Sequence, residues 1–399
     1  MALVLLLMGV AVSATQQPPT PPPGEGSQTT PAPQAAAPTT IQPVSPLPAK
    51  PGRSKPAPPP PPSFPSTPKW SATVTAGPVT PPLVADGRIL LALQSGVLAS
   101  RQIDDGREIW SLKLAVDQPM AADEGRIFVF TGQTLHAISA ADGSTLWRVS
   151  SSPPTAPMLA RGGWVIVASD DAVTARRASD GEPVWTKPTG AVSKRPAVDG
   201  NALYVPVAEG RIVAMRLETG EELWSRTLGP APTEPLAYGD RVYVGSDAKQ
   251  LHCLNAKSGN DEWIWKVGTR IIGAPAADEG RVYFVAMDNQ LWALSRATGN
   301  QRWKYGLAYR PTNGPVVMGR QVAVPGITGE LIGLIAETGK VTGKLAFADK
   351  LATDPAFVPP APGSDRAAVV SMTGGLKPEW TLSVATPPAP APAAGSGSH

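Results

Sequence analysis

The sequence predicts an all-β fold, an eight-bladed β-propeller built from four-stranded antiparallel blades, and three observations predict it. A motif that pairs Asp, Thr or Ser with glycine and places tryptophan four residues later recurs every 37 to 40 residues. Each period contains about four short runs of apolar residues separated by turn residues, which is typical of a propeller blade. The last period lacks a closing strand, and an N-terminal segment matches the missing strand. The copies of the motif are DGREIW (105–110), DGSTLW (142–147), DGEPVW (180–185), TGEELW (219–224), SGNDEW (258–263) and TGNQRW (298–303).

Each repeat has the same internal order, shown here for the fourth. A proline, a short apolar run and a glycine turn come first, as in PAVDG (196–200). A strand follows in which β-branched and aromatic residues alternate, ALYVPV (202–207), and then a second strand, RIVAMR (211–216). The motif TGEELW (219–224) contributes the turn and the fourth strand. Runs of this length bounded by Gly, Pro and Asp predict strands joined by tight turns.

The repeat count gives eight blades. Seven units end at residues 110, 147, 185, 224, 263, 303 and 343, the last with the degenerate copy TGKVTG (338–343). The C-terminal part supplies three more strands, in DPAFV (354–358), AAVVSM (367–372) and LKPEWTLSV (376–384). The segment PKWSATV (68–74) is predicted to add the fourth strand and so close the ring, which removes exposed sheet edges at the chain ends.

The recurrent glycine and tryptophan are predicted to dock neighbouring blades. Glycine adopts a positive φ at little cost, so it suits the turn between the third and fourth strands. An indole that lies across to the next blade removes roughly 150–250 Å² from water, worth at most about 4–6 kcal/mol at about 25 cal/mol per Å². The predicted docking residues are Trp70, Trp110, Trp147, Trp185, Trp224, Trp263, Trp303, Gly106, Gly143, Gly181, Gly220, Gly259 and Gly299.

Composition divides the chain into four segments. Residues 1–14, MALVLLLMGVAVSA, have a short apolar run followed by small residues and predict a signal peptide or short anchor, hence export. Residues 15–67 are rich in proline and poor in large apolar residues, so they predict a disordered, semi-rigid tether. The propeller is assigned to residues 68–384 and a disordered tail to residues 385–399.

Charge and composition argue against several other functions. The net charge is +3, of which the tether contributes +2, so the folded region has no net attraction for a phosphate backbone, and nucleic acid is not expected as a partner. The single cysteine, Cys253, excludes a disulfide within the chain and is predicted to fill the small-residue position held by Ala137 in the second repeat. His136 and His252 occupy one slot in two repeats three blades apart, which does not predict a shared metal site.

The docking motif resembles that of a known repeat family. The unit Ala-x5-Gly-x3-Trp occurs as AISAADGSTLW (137–147), ARRASDGEPVW (175–185), AMRLETGEELW (214–224) and ALSRATGNQRW (293–303). It is similar to the tryptophan-docking motif of pyrroloquinoline-quinone-like (PQQ-like) propeller repeats, which occur in quinoprotein dehydrogenases and in the BamB family of outer-membrane assembly factors. The resemblance covers residues 68–384 and implies the fold; propellers host unrelated activities, so function needs a site.

The resemblance is strongest to the BamB family, and it implies an exported, non-enzymatic scaffold that assists β-barrel assembly. We expect no catalytic, cofactor or metal site, a periplasmic or envelope location peripheral to the membrane, and a monomer. The expected partner is a β-barrel assembly factor or an unfolded outer-membrane protein. The alternative is a PQQ-binding oxidoreductase with calcium, and a second alternative is an envelope sensor or adhesion module. Quinoprotein dehydrogenases are expected to have long insertions and an adjacent cysteine pair, whereas these blades are minimal and Cys253 is alone.

The resemblance also implies where a partner would bind. In the BamB family the partner-binding residues lie in loops that carry leucine, arginine and aspartate. The comparable turns here read GPAPTEP (229–235) and VGTRIIGAP (267–275), which depart from that pattern: they lack its leucine and arginine cluster and its aspartates, apart from Arg270 and two isoleucines. A rigid ring would present these loops to a protein partner.

Overall fold

A computed structural model describes residues 63–326, 328–360, 367–374 and 379–387. Every regular element in these ranges is a β-strand, and none of the described residues forms a helix that is long and apolar enough to cross a membrane. The predicted signal peptide, most of the predicted tether and most of the predicted tail lie outside the described residues.

Thirty-two strands are described. The first half of the chain contains β1 (Thr67–Val74), β2 (Leu83–Ala85), β3 (Arg88–Leu93), β4 (Val97–Gln102), β5 (Glu108–Lys113), β6 (Ala121–Asp123), β7 (Arg126–Thr131), β8 (Thr134–Ser139), β9 (Thr145–Ser150), β10 (Leu159–Arg161), β11 (Trp164–Ser169), β12 (Ala172–Arg177), β13 (Pro183–Pro188), β14 (Ala197–Asp199), β15 (Ala202–Val207) and β16 (Arg211–Arg216). The second half contains β17 (Glu222–Thr227), β18 (Leu236–Tyr238), β19 (Arg241–Ser246), β20 (Gln250–Asn255), β21 (Asp261–Lys266), β22 (Ile271–Ala277), β23 (Arg281–Ala286), β24 (Gln290–Ser295), β25 (Gln301–Gly306), β26 (Val316–Met318), β27 (Gln321–Ala323), β28 (Glu330–Ile335), β29 (Val341–Ala346), β30 (Ala356–Val358), β31 (Ala368–Thr373) and β32 (Trp380–Thr386).

The strands form eight four-stranded antiparallel sheets, which confirms the predicted eight-bladed propeller. Blade 1 is β2–β5, and blades 2 to 7 follow in groups of four up to β29. Blade 8 has the order β1-β32-β31-β30, so the N-terminal strand is its outermost strand and closes the ring as predicted. The pairing runs from Thr67 opposite Thr386 to Val74 opposite Trp380.

The two middle strands of each blade are buried on both faces. In blade 4, β15 has five consecutive buried residues and β16 has four, whereas the outer strand β17 alternates between exposed and half-buried residues. Blades stack face to face around the ring, so a middle strand packs against a neighbour on each side. The sequence predicted alternation of residue types along the second strand of each repeat, but in the structure most residues of this strand are buried.

Antiparallel pairing gives the ring two different ends. We call the end that carries the connections between blades, together with the turns between second and third strands, the loop face. The opposite end carries the turns after the first strands and the Asp/Thr/Ser-Gly turns before the fourth strands, and we call it the turn face. The docking motif and the loops compared with the BamB family thus lie at opposite ends of the ring.

The boundaries predicted for the propeller are each off by a few residues. Phe64, assigned to the tether, is only 1% exposed and belongs to the core cluster around blade 7, and Thr67 already lies in β1. At the other end β32 extends to Thr386, past the predicted start of the tail. Phe64 is the one large apolar side chain near the end of the proline-rich segment, and its burial places it in the propeller core rather than in the predicted tether.

Candidate functional site: a pocket on the loop face

The predicted docking residues form tryptophan–glycine pairs at the turn face. Each pair spans the interface between two neighbouring blades, which we call a seam. Each of the seven tryptophans lies on the turn glycine of the next blade, so that a Cβ added to that glycine would be 2.5–2.8 Å from the indole. Each indole Nε1 also donates a hydrogen bond of 2.8–3.0 Å to a backbone carbonyl of the next blade. Trp303 docks on Gly339, a glycine of the degenerate repeat that the prediction omitted. The receiving glycines are Gly106, Gly143, Gly181, Gly220, Gly259, Gly299 and Gly339.

The acidic residues of the turns bind their own backbone. Asp105, Asp142 and Asp180 each accept a hydrogen bond from the N–H two residues later, at 3.0, 3.1 and 3.0 Å. The N–H of Ser144 lowers the pKa of Asp142, and the N–H of Glu182 lowers the pKa of Asp180. These carboxylates therefore act as turn formers, a common role of aspartate immediately before a turn glycine.

Cys253, His136 and His252 are packed into the blades rather than gathered in a site. Burial raises the pKa of the fully buried Cys253 thiol to about 12, so it is not a nucleophile at neutral pH. His136 Nε2 lies 2.8 Å from Thr131 Oγ1, and burial together with Arg148 lowers the pKa of His136. Among the described residues, no group of three or more His, Cys, Asp or Glu could hold a metal ion.

An ionic tie between blades 4 and 5 was missed by the sequence analysis. His252 Nδ1 lies 2.8 Å from one oxygen of Asp261, and the Arg226 guanidinium of blade 4 donates to the other oxygen. The His252 side chain is 6% exposed and that of Asp261 is 16% exposed. Asp261 stands at a position that varies from repeat to repeat, so the periodicity carried no signal for this contact.

The candidate site is a pocket of about 370 Å³ on the loop face. Four successive blade-to-blade connections and two turns between middle strands line it, and they include the loops GPAPTEP and VGTRIIGAP singled out from the sequence. The lining residues are Lys194, Ala231, Pro232, Thr233, Glu234, Asp247, Arg270, Ile271, Ile272, Gly273, Met287, Thr312 and Asn313.

Backbone contacts fix the shape of this pocket. Gly273 lies at a bulge of β22 with φ +62°, and a Cβ there would be 2.1 Å from the Gly314 nitrogen, so only glycine permits this approach of two loops. The buried Thr233 hydroxyl accepts a hydrogen bond from the Gly245 N–H at 3.0 Å. Ala231 has φ +48°, an uncommon conformation for a non-glycine residue. A backbone held this way presents a preformed surface.

The pocket combines an apolar floor with charged groups of both signs. Ile271 is buried, and Ile272 and Met287 are half-buried. Lys194 and Arg270 are exposed cations at the rim; among the described residues, neither has an ion-pair partner within 4 Å. The carboxylates that line the pocket, Asp247 and Glu234, likewise form no ion pair within the described part of the chain. The charges are therefore available to a ligand.

A further carboxylate stands beside the pocket. Asp354, in the connection from blade 7 to blade 8, accepts a hydrogen bond from the hydroxyl of the pocket residue Thr312. Burial raises the pKa of Asp354, and this hydrogen bond opposes the shift in part. Asp354 is thus a half-buried carboxylate with an environment that disfavours its charge.

The residue types that line the pocket suit non-covalent binding. Its lining contains no histidine, cysteine or serine. An apolar floor with unpaired charges at the rim suits a protein loop with an apolar side chain and flanking charges. Two of its loops were identified from the sequence, whereas Lys194, Met287 and Thr312 lie in loops of neighbouring blades and carried no sequence signal.

Comparisons with known proteins support the family resemblance. The sequence matches the family model described as outer membrane protein assembly factor BamB over residues 94–238 and 233–355. It is 32% identical over 138 residues to the outer membrane protein assembly factor BamB of Alkalilimnicola ehrlichii, and this match spans 33% of the chain and 36% of that relative's length.

Solved structures share the fold. BamB from Moraxella catarrhalis has a TM-score of 0.63 at 20% identity, over 79% of this chain and 99% of that one. A quinohemoprotein alcohol dehydrogenase from Pseudomonas putida has a TM-score of 0.61 at 15% identity, over 82% of this chain and 78% of that one. Identities this low establish the propeller alone, whereas the family model covers more than half of the sequence. The chain belongs to the BamB family.

Proposed function

We propose that this protein is an exported, non-enzymatic scaffold that binds a component of the outer-membrane β-barrel assembly machinery through the pocket on its loop face. The observation that carries the proposal is the preformed pocket, which lies on the two loops that the BamB resemblance implies and holds unpaired charges of both signs. The description of the matched family as an outer membrane protein assembly factor supplies the class of partner. An exported, envelope location agrees with that class.

The proposed mechanism is docking onto a rigid surface. Ile272 and Met287 are half-buried in the free protein, so covering the part of each side chain that is still exposed contributes about 1 kcal/mol. Arg270 and Lys194 select a partner with acidic groups beside its apolar anchor, because a cation at the same place would meet like charge. The docking tryptophans hold the pocket loops in place by fixing successive blades, so little entropy is lost when a partner binds.

A quinone-dependent oxidoreductase is the competing function, because a quinohemoprotein dehydrogenase shares the propeller fold. A calcium-bound quinone would need clustered oxygen ligands, and the described residues contain no cluster of three or more acidic or histidine side chains that could hold a metal ion. The single cysteine does not fit the adjacent pair expected of that class. The lone cysteine, and the lack of such a cluster among the described residues, favour the scaffold proposal over the oxidoreductase.

Binding to a purified barrel-assembly protein tests the proposal. Arg270→Glu should lower the affinity at least about tenfold, because it reverses the charge at the pocket rim. Arg107→Glu, an exposed arginine on the turn face, is the matched control and should change the affinity less than about twofold. Equal effects of the two substitutions, or no complex with the wild-type protein, would contradict the proposal. A stoichiometric chromophore after addition of PQQ and calcium would favour the dehydrogenase instead.

A further inference from the structure

The docking pattern of the turn face breaks at one seam, between blades 7 and 8. Four residues after the turn glycine Gly339, blade 7 has Gly343 instead of tryptophan. Across the sheet, Gly343 pairs with Gly333, whereas in blades 2, 3, 4 and 6 the tryptophan pairs with alanine and in blade 5 with cysteine. Two adjacent glycines thus leave room above the outer strands of blade 7.

Phe64 fills that room from the N-terminal segment. A Cβ added at Gly333 would be 2.1 Å from Phe64 Cδ2, and one added at Gly343 would be 2.8 Å from Phe64 Cβ. The phenyl ring is 1% exposed and shares a core cluster with residues of blade 8, including Val369 and Ala385. The preceding carbonyl, of Ser63, accepts a hydrogen bond of 2.9 Å from Gln321 Nε2.

Ring closure explains why the seam between blades 7 and 8 lacks the tryptophan–glycine contact of the other seams. In blade 8 the third strand is β32 and the fourth is β1, so no turn joins them and no turn glycine exists to receive an indole from blade 7. The chain instead enters β1 at this place. Phe64 packs on blade 7, on one side of blade 8. Trp70 packs on Gly106 of blade 1, on the other side, and its Nε1 donates a hydrogen bond of 2.8 Å to the Ile103 carbonyl.

We propose that residues 63–74 are a clasp that holds two seams of the ring, and that Phe64 is its eighth docking residue, acting in place of the tryptophan that blade 7 lacks. Phe64 and Trp70 flank the strand that pairs with β32, so one short segment joins blades 7, 8 and 1. Closure of the propeller then depends on the seating of this segment. Withdrawal of Phe64 opens the seam between blades 7 and 8 and leaves the seven tryptophan docks in place.

Moving the aromatic side chain back into blade 7 tests this assignment in the full chain. Phe64→Gly should lower the Tm by at least about 5 °C, because it empties a buried aromatic site. Gly343→Trp alone should also lower the Tm, because its side chain and that of Phe64 occupy the same volume. In the double variant, no Cβ at position 64 remains to clash with the one added at Gly343, so the Tm should regain at least half of the loss caused by Phe64→Gly. A Tm of the double variant no higher than that of Phe64→Gly would overturn the proposal.

A matched control tests whether the tryptophan at position 343 specifically replaces Phe64 or stabilises the protein in any background. Phe130 is also fully buried, in the cluster between blades 2 and 3. Phe130→Ala should lower the Tm, and adding Gly343→Trp should lower it further, because blade 7 is occupied by Phe64. Rescue of Phe130→Ala by Gly343→Trp would show a nonspecific effect and refute the assignment.

Hydrogen exchange gives a second readout that does not depend on the size of the Tm shifts. In Gly343→Trp, the amides of Phe64, Ser66 and Thr67 should exchange at least about tenfold faster as Phe64 is displaced, while residues 71–74 keep their protection within β1. Unchanged exchange of these three amides in this variant would mean that the indole does not compete with Phe64 for its site, which contradicts the proposal.

Discussion

The docking unit at seven of the eight seams is one tryptophan, one glycine and one carbonyl. Gly259 shows two separate reasons for glycine at this position. Its φ is +70°, which favours glycine, and a Cβ would be 2.5 Å from the indole of Trp224. The indole also donates to the Ala256 carbonyl at 2.9 Å and lies 5.9 Å from the Tyr204 ring. Periodicity predicted the glycine and the tryptophan, but the accepting carbonyl belongs to the next blade and has no signature of its own.

Removal of one indole should weaken the ring substantially. Trp224→Ala should lower the free energy of unfolding by about 3–5 kcal/mol, because it creates a cavity between blades 4 and 5 and removes the shorter of the two hydrogen bonds to the Ala256 carbonyl, which keeps the one from the Tyr204 hydroxyl at 3.4 Å. Leu223→Ala, whose side chain is 41% exposed, is the neighbouring control and should cost less than about 1 kcal/mol. Denaturant unfolding measures both, and a melt of Trp224→Ala that matches the wild type would refute docking.

Alanine substitutions at two turn glycines distinguish the energetic cost of a positive φ from the cost of a clash with the indole. Gly125→Ala changes a residue with φ +74° and no atom within 4 Å of the added Cβ, so it should cost about 1–2 kcal/mol. Gly259→Ala adds a clash with Trp224 and should cost about 1–3 kcal/mol more. Unfolding free energies compare the two variants. Equal losses would mean that the indole moves away at no cost.

The raised pKa of Asp354 predicts a pH-dependent effect. Its folded-state pKa lies above the ordinary value of 3.8, so its ionisation opposes folding as the pH rises through this range. Asp354→Asn should therefore raise the free energy of unfolding at pH 7, by less than about 1 kcal/mol because the side chain is half-buried, and the gain should vanish as the pH falls below 3.8. Asp349→Asn, on the same connection but exposed, should give no such gain. Urea unfolding of both variants and the wild type at several pH values measures the difference in stability. A stability gain of Asp354→Asn that persists at low pH would show that it does not come from ionisation of Asp354.

At the scale of the blade, periodic features were predictable and seam-specific contacts were not. The turn residues and strand lengths recur, so the sequence showed four strands per repeat. Burial of the middle strands on both faces follows from stacking between blades, which the pattern of one repeat does not display. The contact of Arg226 with Asp261 depends on two residues in different repeats, neither of which recurs.

The tie between blades 4 and 5 should be energetically coupled. Asp261→Ala should cost about 2–3 kcal/mol, because it leaves both ring nitrogens of the buried His252 without a partner and removes the acceptor of Arg226. Glu330→Ala breaks an exposed pair with Lys344 and should cost less than about 1 kcal/mol. A double-mutant cycle on Arg226 and Asp261 measures the coupling, and a value near zero would show that the tie does not hold the blades.

At the scale of the whole molecule, the repeat count predicted eight blades and the closing strand β1. The repeat could not predict Phe64 or the full pocket, for one physical reason. Both are formed where residues distant in the chain meet once around the ring, and a contact made once leaves no period. Phe64 was therefore placed in the tether, although it is buried against Gly333 and Gly343.

The ring also separates stabilisation from recognition. Tryptophan docks occupy the turn face, and the candidate pocket occupies the loop face. Substitutions at a dock should thus change stability, whereas substitutions at the pocket rim should change partner binding with little change in stability. This separation is what a scaffold requires, because the binding surface can vary while the docks are kept.

Site-specific photo-cross-linking to a purified barrel-assembly protein tests the central claim most directly. A photo-reactive residue in place of Lys194 lies at the pocket rim, and one in place of Leu223 lies on the outer strand of blade 4. We predict a cross-linked product from position 194 and none from position 223. Cross-linking from position 223 alone, or from neither position under conditions in which both variants are folded, would contradict the claim that this face is the docking surface.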